Sequence, residues 1–240
     1  MAFNNAKNII VGAAPVFIST LDSTDNSYKE NLLELLPSGA VTLAARTSAV
    51  TTLNAASQFR NVGFTNNGLQ ITYNPTFEDV TVDQLLDAAK LFKSAMQVMI
   101  MTEMTEGTLQ NTLTVFGQGV STLKKDGAQS SDLYPTKGIT GSLDKDLTLG
   151  LEAGALGVAP TERQLVAVGQ APTFALDSTA AEVSATTERV YYARKVLSVQ
   201  QTQFTLARNT PTTFPVTFRL LPDSRYVGSE YGKIIDRVLA

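Results

Sequence analysis

The side chains that could perform acid–base chemistry in this chain are carboxylates, lysines and tyrosines, because its 240 residues include no histidine and no cysteine. That composition excludes a Ser–His–Asp triad, a cysteine nucleophile and a histidine- or thiolate-ligated zinc ion. Glu78 and Asp79 are adjacent carboxylates, but neighbours in a strand point to opposite faces and do not share a substrate. Asp126, Asp144 and Asp146 lack the spacing of an EF-hand calcium loop. We therefore predict no enzymatic activity, no cofactor and no metal site.

The charges are few and unevenly distributed. Hydrophobic residues make up 43% of the chain and charged residues 17%, with a formal charge of -3, so a nucleic-acid binder held by a basic surface is disfavoured. Residues 61–89 contain four acids and no base, whereas residues 186–240 contain eight bases and four acids. Complementary subunit faces carry charge in this way. Ordinary scatter of a small number of charges is the other explanation.

The hydrophobic pattern predicts mostly strands. Apolar and polar residues alternate over 69–73, which is typical of a strand with one buried face. Asn66–Gly68 predicts a hairpin turn before it, and Pro75 predicts a break before a strand over 77–82. Further strands are expected at 96–104, 145–151, 163–169, 172–177, 188–198, 201–208 and 214–221, with 189–199 and 203–207 forming a hairpin. The expected fold is mainly β (α+β), a β-sandwich or partial barrel with one flanking helix.

The organisation predicted along the chain is an arm followed by one domain. Residues 1–58 are expected to form an N-terminal arm with a helix over 29–36 and an extended connection or weak strand over 40–58. Residues 59–240 form the β domain, with its helix over 105–116, marked by an apolar stripe at Leu109, Leu113 and Phe116. A glycine-, serine- and lysine-containing loop over 119–141 is expected to be exposed and mobile. The tail over 231–239 is predicted as a strand or helical turn.

An ordered series of motifs runs from residue 60 to residue 113. It comprises residues 60–75 (RNVGFTNNGLQITYNP), the acidic segment 77–84 (FEDVTVDQ), the strand QVMIMT at 97–102 and the helix opening TEGTLQNTL at 105–113. This series resembles the major tail tube protein of long-tailed phages. The family pattern is a VGxTxxG hairpin, an acidic strand ending near VDQ, an ExxLxNxL helix and a C-terminal β-hairpin. The resemblance covers 60–117 well and the C-terminal third loosely.

The resemblance implies a structural virion protein with a fold shared by type VI secretion tube subunits. Six copies would close into a ring, and stacked rings would form a hollow tube through which DNA passes without tight binding. Its partners would be copies of itself and other tail proteins, namely the tape measure, the tail terminator and the baseplate or tip. The protein would be made in the host cytoplasm and reside in the virion tail, with no membrane contact.

Two sets of residues are candidates for functional contacts. A lumen that passes DNA must avoid a basic lining, so polar and acidic strand residues are the candidates to face it. The candidate lumen residues are Gln70, Thr72, Asn74, Asp79, Thr81 and Asp83. The candidate inter-subunit residues are Lys124, Lys125, Arg189, Arg194 and Arg219. The alternatives left open are a head-decoration or capsid β-protein, a secretion-tube component, and a carbohydrate-active enzyme with two carboxylates.

Overall fold

The structure, a computed structural model, describes most of the chain as ten strands and two short α-helices, so the predicted mainly β fold is confirmed. The described residues are 12–21, 47–56, 58–81, 83, 87–125, 147–153, 156, 160–171, 187–199, 202–206 and 208–239. The strands are β1 (Val16–Ser19), β2 (Phe59–Asn61), β3 (Thr65–Val80), β4 (Lys90–Met104), β5 (Leu123–Lys125), β6 (Leu147–Leu149), β7 (Arg163–Gln170), β8 (Thr187–Ser198), β9 (Phe214–Leu220) and β10 (Gly232–Val238). The helices are α1 (Ala49–Ala55) and α2 (Leu109–Val115), and a 3-10 turn covers Val120–Thr122.

The large antiparallel sheet curls until its two edges converge at one end. Its strand order is β2-β1-β7-β8-β9-β4-β3, so β2 and β3 are opposite edges, and β10 pairs with β8 as well. Yet only residues 62–64 connect Asn61 at the end of β2 to Thr65 at the start of β3. Four residue steps span at most about 14 Å. The backbone N–H of Thr105 also donates to the carbonyl of Phe64 at 3.0 Å, which joins the end of β4 to this crossing.

Each face of the sheet has its own apolar core. The first core lies inside the curl and contains residues from β1, β4, β7, β8 and β9 with Val115 of α2. The second core lies on the other face, where Phe17, Val166 and Tyr192 pack against Leu53 of α1. The central strands β7 and β8 are therefore buried on both sides, which explains their continuous apolar runs.

Helix α1 overturns the extended connection predicted within 40–58. The hydroxyl of Ser48 accepts from the backbone N–H of Val50 at 3.2 Å and caps the helix. Ala49 and Leu53, four positions apart, are both fully buried. Valine, threonine and asparagine, which make up four of the seven residues of α1, have weak helix propensity, so docking on the sheet supplies the stability that the sequence pattern does not reveal.

Helix α2 confirms the predicted flanking helix but begins later than expected. Thr108, rather than Thr105, caps it by accepting from the backbone N–H of Asn111 at 3.2 Å. Arg60 of β2 holds the helix in place. Its guanidinium donates to Oδ1 of Asn111 at 2.6 Å, to the carbonyl of Gln110 at 2.9 Å and to Oγ1 of Thr114 at 3.0 Å.

The predicted turn at Asn66–Gly68 is wrong, because the segment forms a bulge within one long strand. Asn67 and Gly68 have φ values of 60° and 65°, as a turn would require, but the pairing of β3 with β4 resumes at Leu69. The Thr102 hydroxyl donates to the carbonyl of Gly68 at 3.0 Å. Pro75 does not break the strand either, because β3 is an edge strand and an edge tolerates a residue without an N–H.

The remaining element predictions had mixed outcomes. The strands over 163–169, 188–198 and 214–221 are confirmed as β7, β8 and β9, and the tail forms β10. The hairpin between 189–199 and 203–207 is wrong, because β8 pairs with β7, β9 and β10 and the described residues 202–206 form no strand. The predicted elements at 29–36 and 172–177 lie outside the described residues. Of the loop over 119–141, residues 119–125 are described and form the 3-10 turn and β5.

Part of the predicted N-terminal arm is built into the domain. Strand β1 lies between β2 and β7, where Phe17 pairs with Asn61 on one side and Val166 on the other. Helix α1 covers the second core. Residues 16–19 and 49–55 therefore belong to the same sheet and core as the strands after residue 59.

Candidate assembly surface

Strands β3 and β4 extend beyond the rest of the sheet as a two-stranded ribbon, which we define as residues 71–80 and 90–98. The two strands pair from Thr65 and Met104 to Val80 and Lys90. Strand β9 covers the other side of β4 only from Met99 to Met104. Within the part of the chain that the structure describes, neither the outer edge of β3 nor the edge of β4 along the ribbon has a neighbouring strand.

The ribbon has an apolar face and a polar face. Strand alternation and the observed register assign each side chain, and the irregularity after Thr76 inserts a residue in β4 without interrupting β3. The apolar face consists of Ile71, Tyr73, Pro75, Phe77, Asp79, Leu91, Lys93, Met96 and Val98. The polar face consists of Thr72, Asn74, Thr76, Glu78, Val80, Lys90, Phe92, Ala95 and Gln97, and it continues towards β9 through Gln70, Met99 and Met101.

Large apolar side chains are exposed along the apolar face. Tyr73 is 60% exposed, Phe77 56% and Leu91 63%. An isolated two-stranded hairpin is at best marginally stable in water, and contiguous exposed apolar surface marks a contact with another molecule. No strand was predicted from the sequence between residues 83 and 95, so Leu91 was missed. The alternation that places Ile71 and Tyr73 on one side of the strand is the signal that extends to Phe77.

The six candidate lumen residues do not share one face. Gln70, Thr72 and Asn74 are exposed on the polar face, as grouped from the sequence. Asp79 lies on the apolar face, because the strand continues through Pro75 and its alternation is never reset. Thr81 is exposed just beyond the end of β3, and Asp83 is exposed in the following turn. Glu78 takes the position on the polar face that the sequence-based grouping gave to Asp79.

The five candidate inter-subunit residues are scattered. Lys124 and Lys125 lie on β5, which pairs with β6 in a separate two-stranded sheet. Arg219 is exposed on β9 opposite Met99, so it shares a sheet face with the polar face of the ribbon. Arg194 is buried, with its guanidinium 3.4 Å from the ring centre of Tyr226 and its Nε donating to the carbonyl of Ser229 at 3.2 Å. This packing makes Arg194 a structural residue of the subunit.

Arg189 is engaged within the subunit by Asp236 of β10. The guanidinium donates two hydrogen bonds to the carboxylate, with Nη2 2.6 Å from Oδ2. These bonds lower the pKa of the Asp236 carboxyl and raise the pKa of Arg189. The two side chains are 23% and 20% exposed, so the pair remains within reach of solvent.

A second pair, between Glu188 and Arg237, is buried and anchors α1. Nη1 of Arg237 donates to Oε1 of Glu188 at 2.7 Å. The backbone N–H of Ala49 donates to both carboxylate oxygens, at 3.0 and 2.9 Å, and the Ser48 hydroxyl donates to Oε2 at 3.1 Å. One carboxylate thus joins β8, β10 and the beginning of α1.

A cleft of about 520 Å³ opens beneath the apolar face of the ribbon. Its walls are the ribbon, strands β8 and β10, and the loop before β10. The principal lining residues are Ile71, Tyr73, Met96, Val98, Tyr191 and Ile234. Lys93 lies within it, with Nζ 3.3 Å from the Tyr73 hydroxyl.

The described residues contain no group of three or more carboxylates that could hold a metal ion. Asp126, Asp144 and Asp146 lie outside them, and Glu78 and Asp79 occupy opposite faces of β3. The exposed ribbon and its cleft therefore form the most prominent candidate for a functional surface in the described part of the chain.

No family model matches the chain, and no curated protein matches it significantly. Among the helices that the structure describes, none has the length and apolar character needed to cross a membrane.

Proposed function

We propose that the protein is a non-enzymatic structural subunit that polymerises with copies of itself, as the major tail tube protein of a phage virion. The observation that carries the proposal is the ribbon, with its unpaired strand edges and exposed apolar face. Such a ribbon is poorly suited to an isolated monomer, because it presents both a template for strand pairing and apolar surface. Copies that pair along the ribbon would cover both the unpaired strand edges and the exposed apolar surface. Closure into a ring would leave no free edge.

The polar face of the ribbon suits a channel that lets DNA pass. Gln70, Thr72 and Asn74 are neutral and exposed there. The charges on the same sheet face are balanced, with Glu78 and Glu103 against Lys90 and Arg219. Binding to phosphates would require a net basic lining, and its affinity would fall steeply with salt. A near-neutral lining therefore supports passage without retention.

Electron microscopy of the purified protein, together with one matched pair of variants, tests the proposal. Wild-type protein is expected to form uniform hollow tubes, whereas shells or discrete oligomers would favour another virion β-protein. Leu91→Asp places a charge on the apolar face and is expected to abolish the tubes. Thr76→Asp places the same charge on the exposed polar face and is expected to leave them intact. A wild-type protein that remains monomeric at high concentration would contradict the proposal.

A tube alone does not separate a phage tail from a bacterial secretion tube, since both would be hollow polymers of one subunit. Tubes isolated from phage particles and digested for peptide mapping would make that distinction. Recovery of this chain as the most abundant tail polypeptide is the expected result.

A further inference from the structure

The cleft beneath the ribbon exists because the large sheet forks at β8. One side of β8 pairs with β7 from Glu188 to Val196, with an irregularity between Ala193 and Val196. Its other side pairs with β10 over residues 187–193 and with β9 over residues 196–198. Strand β4 follows β9 on one branch, while β10 ends the other branch among the described residues. The ribbon edge of β4 and the outer edge of β10 therefore bound an open wedge instead of pairing with each other.

The walls of this wedge are apolar but only partly covered. Ile234 of β10 is 64% exposed, Tyr73 is 60% exposed and Ile71 is 44% exposed. Met96 and Val98 complete the ribbon side, and Tyr191 forms the floor on β8. The volume of about 520 Å³ is in the range in which pockets enclose a compact apolar group. An occupant would cover all three exposed side chains at once.

The distal end of the ribbon is apolar and exposed, as a group that fills the apolar cleft would be. We define the tip as residues 77–80 and 90–92, where Phe77, Val80, Leu91 and Phe92 are all at least 41% exposed. The tip cannot enter the cleft of its own subunit. Val80 lies seven residues beyond Tyr73 along the same strand, and an extended strand separates them by about 23 Å. Any contact between tip and cleft must therefore join two different copies.

Charge favours the same pairing. The hairpin end over 77–92 carries four acids and one base, a net charge of -3. Lys93 borders the cleft together with Glu230. The side chain of Lys233 lies on the other face of β10, with Nζ 5.8 Å from the ring centre of Tyr192. The Glu230 carboxylate accepts from the backbone N–H of Gly228 at 3.0 Å, which directs it to its own loop. The rim thus offers one cation, Lys93, to an acidic tip.

We propose that the cleft is the acceptor site for the ribbon tip of a second copy of this chain. The apolar tip side chains fill the wedge between the β4 edge and β10, and Lys93 at the rim lies against the acidic residues of the hairpin end. The contact is heterologous, because the tip of one copy meets the cleft of the next, so it propagates into a ring or a filament. This inference rests on the proposed self-assembly and names the two surfaces that meet.

Engineered disulfides test the pairing directly, because the chain contains no cysteine of its own. We would place Leu91→Cys at the tip and Ile234→Cys in the cleft of the full chain, and oxidise the assembled protein gently. The doubly substituted chain is expected to form a ladder of cross-linked oligomers, and a mixture of the two single variants is expected to form dimers. Pairing Leu91→Cys with Leu206→Cys, which is 80% exposed outside the cleft, serves as the control and is expected to form none.

A second measurement uses two variants, each with a charge that disrupts either the tip or the cleft. Leu91→Asp leaves the cleft intact, and Ile234→Asp leaves the tip intact. Each variant alone is expected to remain monomeric, whereas an equimolar mixture forms a heterodimer through its one intact tip–cleft contact, as measured by light scattering.

Wild-type tubes with no cross-link between tip and cleft and no heterodimer would overturn the inference while leaving self-assembly standing. Efficient cross-linking of Leu91→Cys to itself would overturn it in favour of tip-to-tip contact. A wild-type protein that does not assemble would overturn the proposed function itself.

Discussion

Two arginine–carboxylate pairs join β8 to β10 at neighbouring positions, and their burial separates their roles. Glu188 and Arg237 are 6% and 7% exposed, whereas Arg189 and Asp236 are 23% and 20% exposed. Glu188→Ala would leave a buried guanidinium unpaired and remove the acceptor of the Ala49 N–H, so we expect it to lower the free energy of unfolding by about 3–5 kcal/mol. Asp236→Ala is expected to cost less than about 1 kcal/mol. Urea denaturation measures both, and equal losses would contradict the assignment.

The Asp236 carboxylate makes part of the stability depend on pH. Hydrogen bonds from Arg189 lower its pKa in the folded state. In the unfolded chain the pKa of an aspartate is about 3.9, so the stabilising contribution is fully present above that value and is lost as the pH falls through the lower folded pKa. The difference in unfolding free energy between wild type and Asp236→Asn should therefore shrink when urea titrations are repeated at pH values from about 6 down to about 3. A difference that grows on acidification would refute this.

Gly232 is required by the backbone at the beginning of β10. Its φ is 146°, and a Cβ placed there would lie 1.8 Å from the carbonyl oxygen of Tyr192 on β8. Gly232→Ala should therefore destabilise the protein by roughly 2–5 kcal/mol, through backbone strain and displacement of the strand. The matched control is Gly169→Ala in β7, where the nearest atom would be at an ordinary 3.8 Å. Its effect should stay within about 1 kcal/mol in a thermal or chemical denaturation series.

At the scale of elements, sequence patterns predicted where strands lie better than they predicted how those strands pair. The apolar runs at 165–168 in β7 and 190–193 in β8 could be recognised because strands that are buried on both faces carry apolar residues in succession. Asn67 and Gly68 have the positive φ values that a hairpin turn would need, but the same backbone angles occur in a turn or a bulge, and only the pairing with β4 decides between them. Helix α1 was missed because its stability comes from Glu188, which is 139 positions away.

The candidate site could also be predicted only in part, because its faces depend on how the strands are arranged in the sheet. Placing Asp79 on the apolar face required knowing that β3 continues through Pro75, and that depends on β3 being an edge strand. The position of a strand within a sheet is a tertiary property, which no local pattern encodes. The apolar face of the ribbon was readable in part from Ile71 and Tyr73, but its exposure was not, because alternation predicts a face without saying what covers it.

The ribbon should be the least protected part of the sheet in a free subunit. Its amides over 71–80 and 90–98 have only each other as strand partners among the described residues, whereas those of β7 and β8 are paired within a buried sheet. Hydrogen exchange in the ribbon of the Leu91→Asp monomer is therefore expected to be much faster than in β7 and β8. In wild-type tubes the ribbon amides should become protected. Equal exchange in monomer and tube would argue against pairing along the ribbon.

At the scale of the whole molecule, the boundary predicted at residue 59 can be tested by truncation. A chain of residues 59–240 lacks β1, so β7 would lose its neighbour in the sheet, and it lacks α1, so the second core would be open. We expect it to be unfolded or aggregated by circular dichroism and gel filtration. A chain beginning at residue 12 keeps every described element and is the control, expected to fold. Cooperative unfolding of the 59–240 chain would show that the strands after residue 59 are self-sufficient.

The order of β10 after the hairpin in the chain has a consequence during synthesis. The wedge that receives the ribbon tip has one wall from β3 and β4 and the opposite wall from Ile234. A nascent chain displays its hairpin long before that opposite wall emerges, so it can donate a tip but has nowhere to accept one. On this acceptor assignment, a nascent chain without β10 can only terminate a growing polymer, and elongation requires copies in which β10 has already folded onto β8.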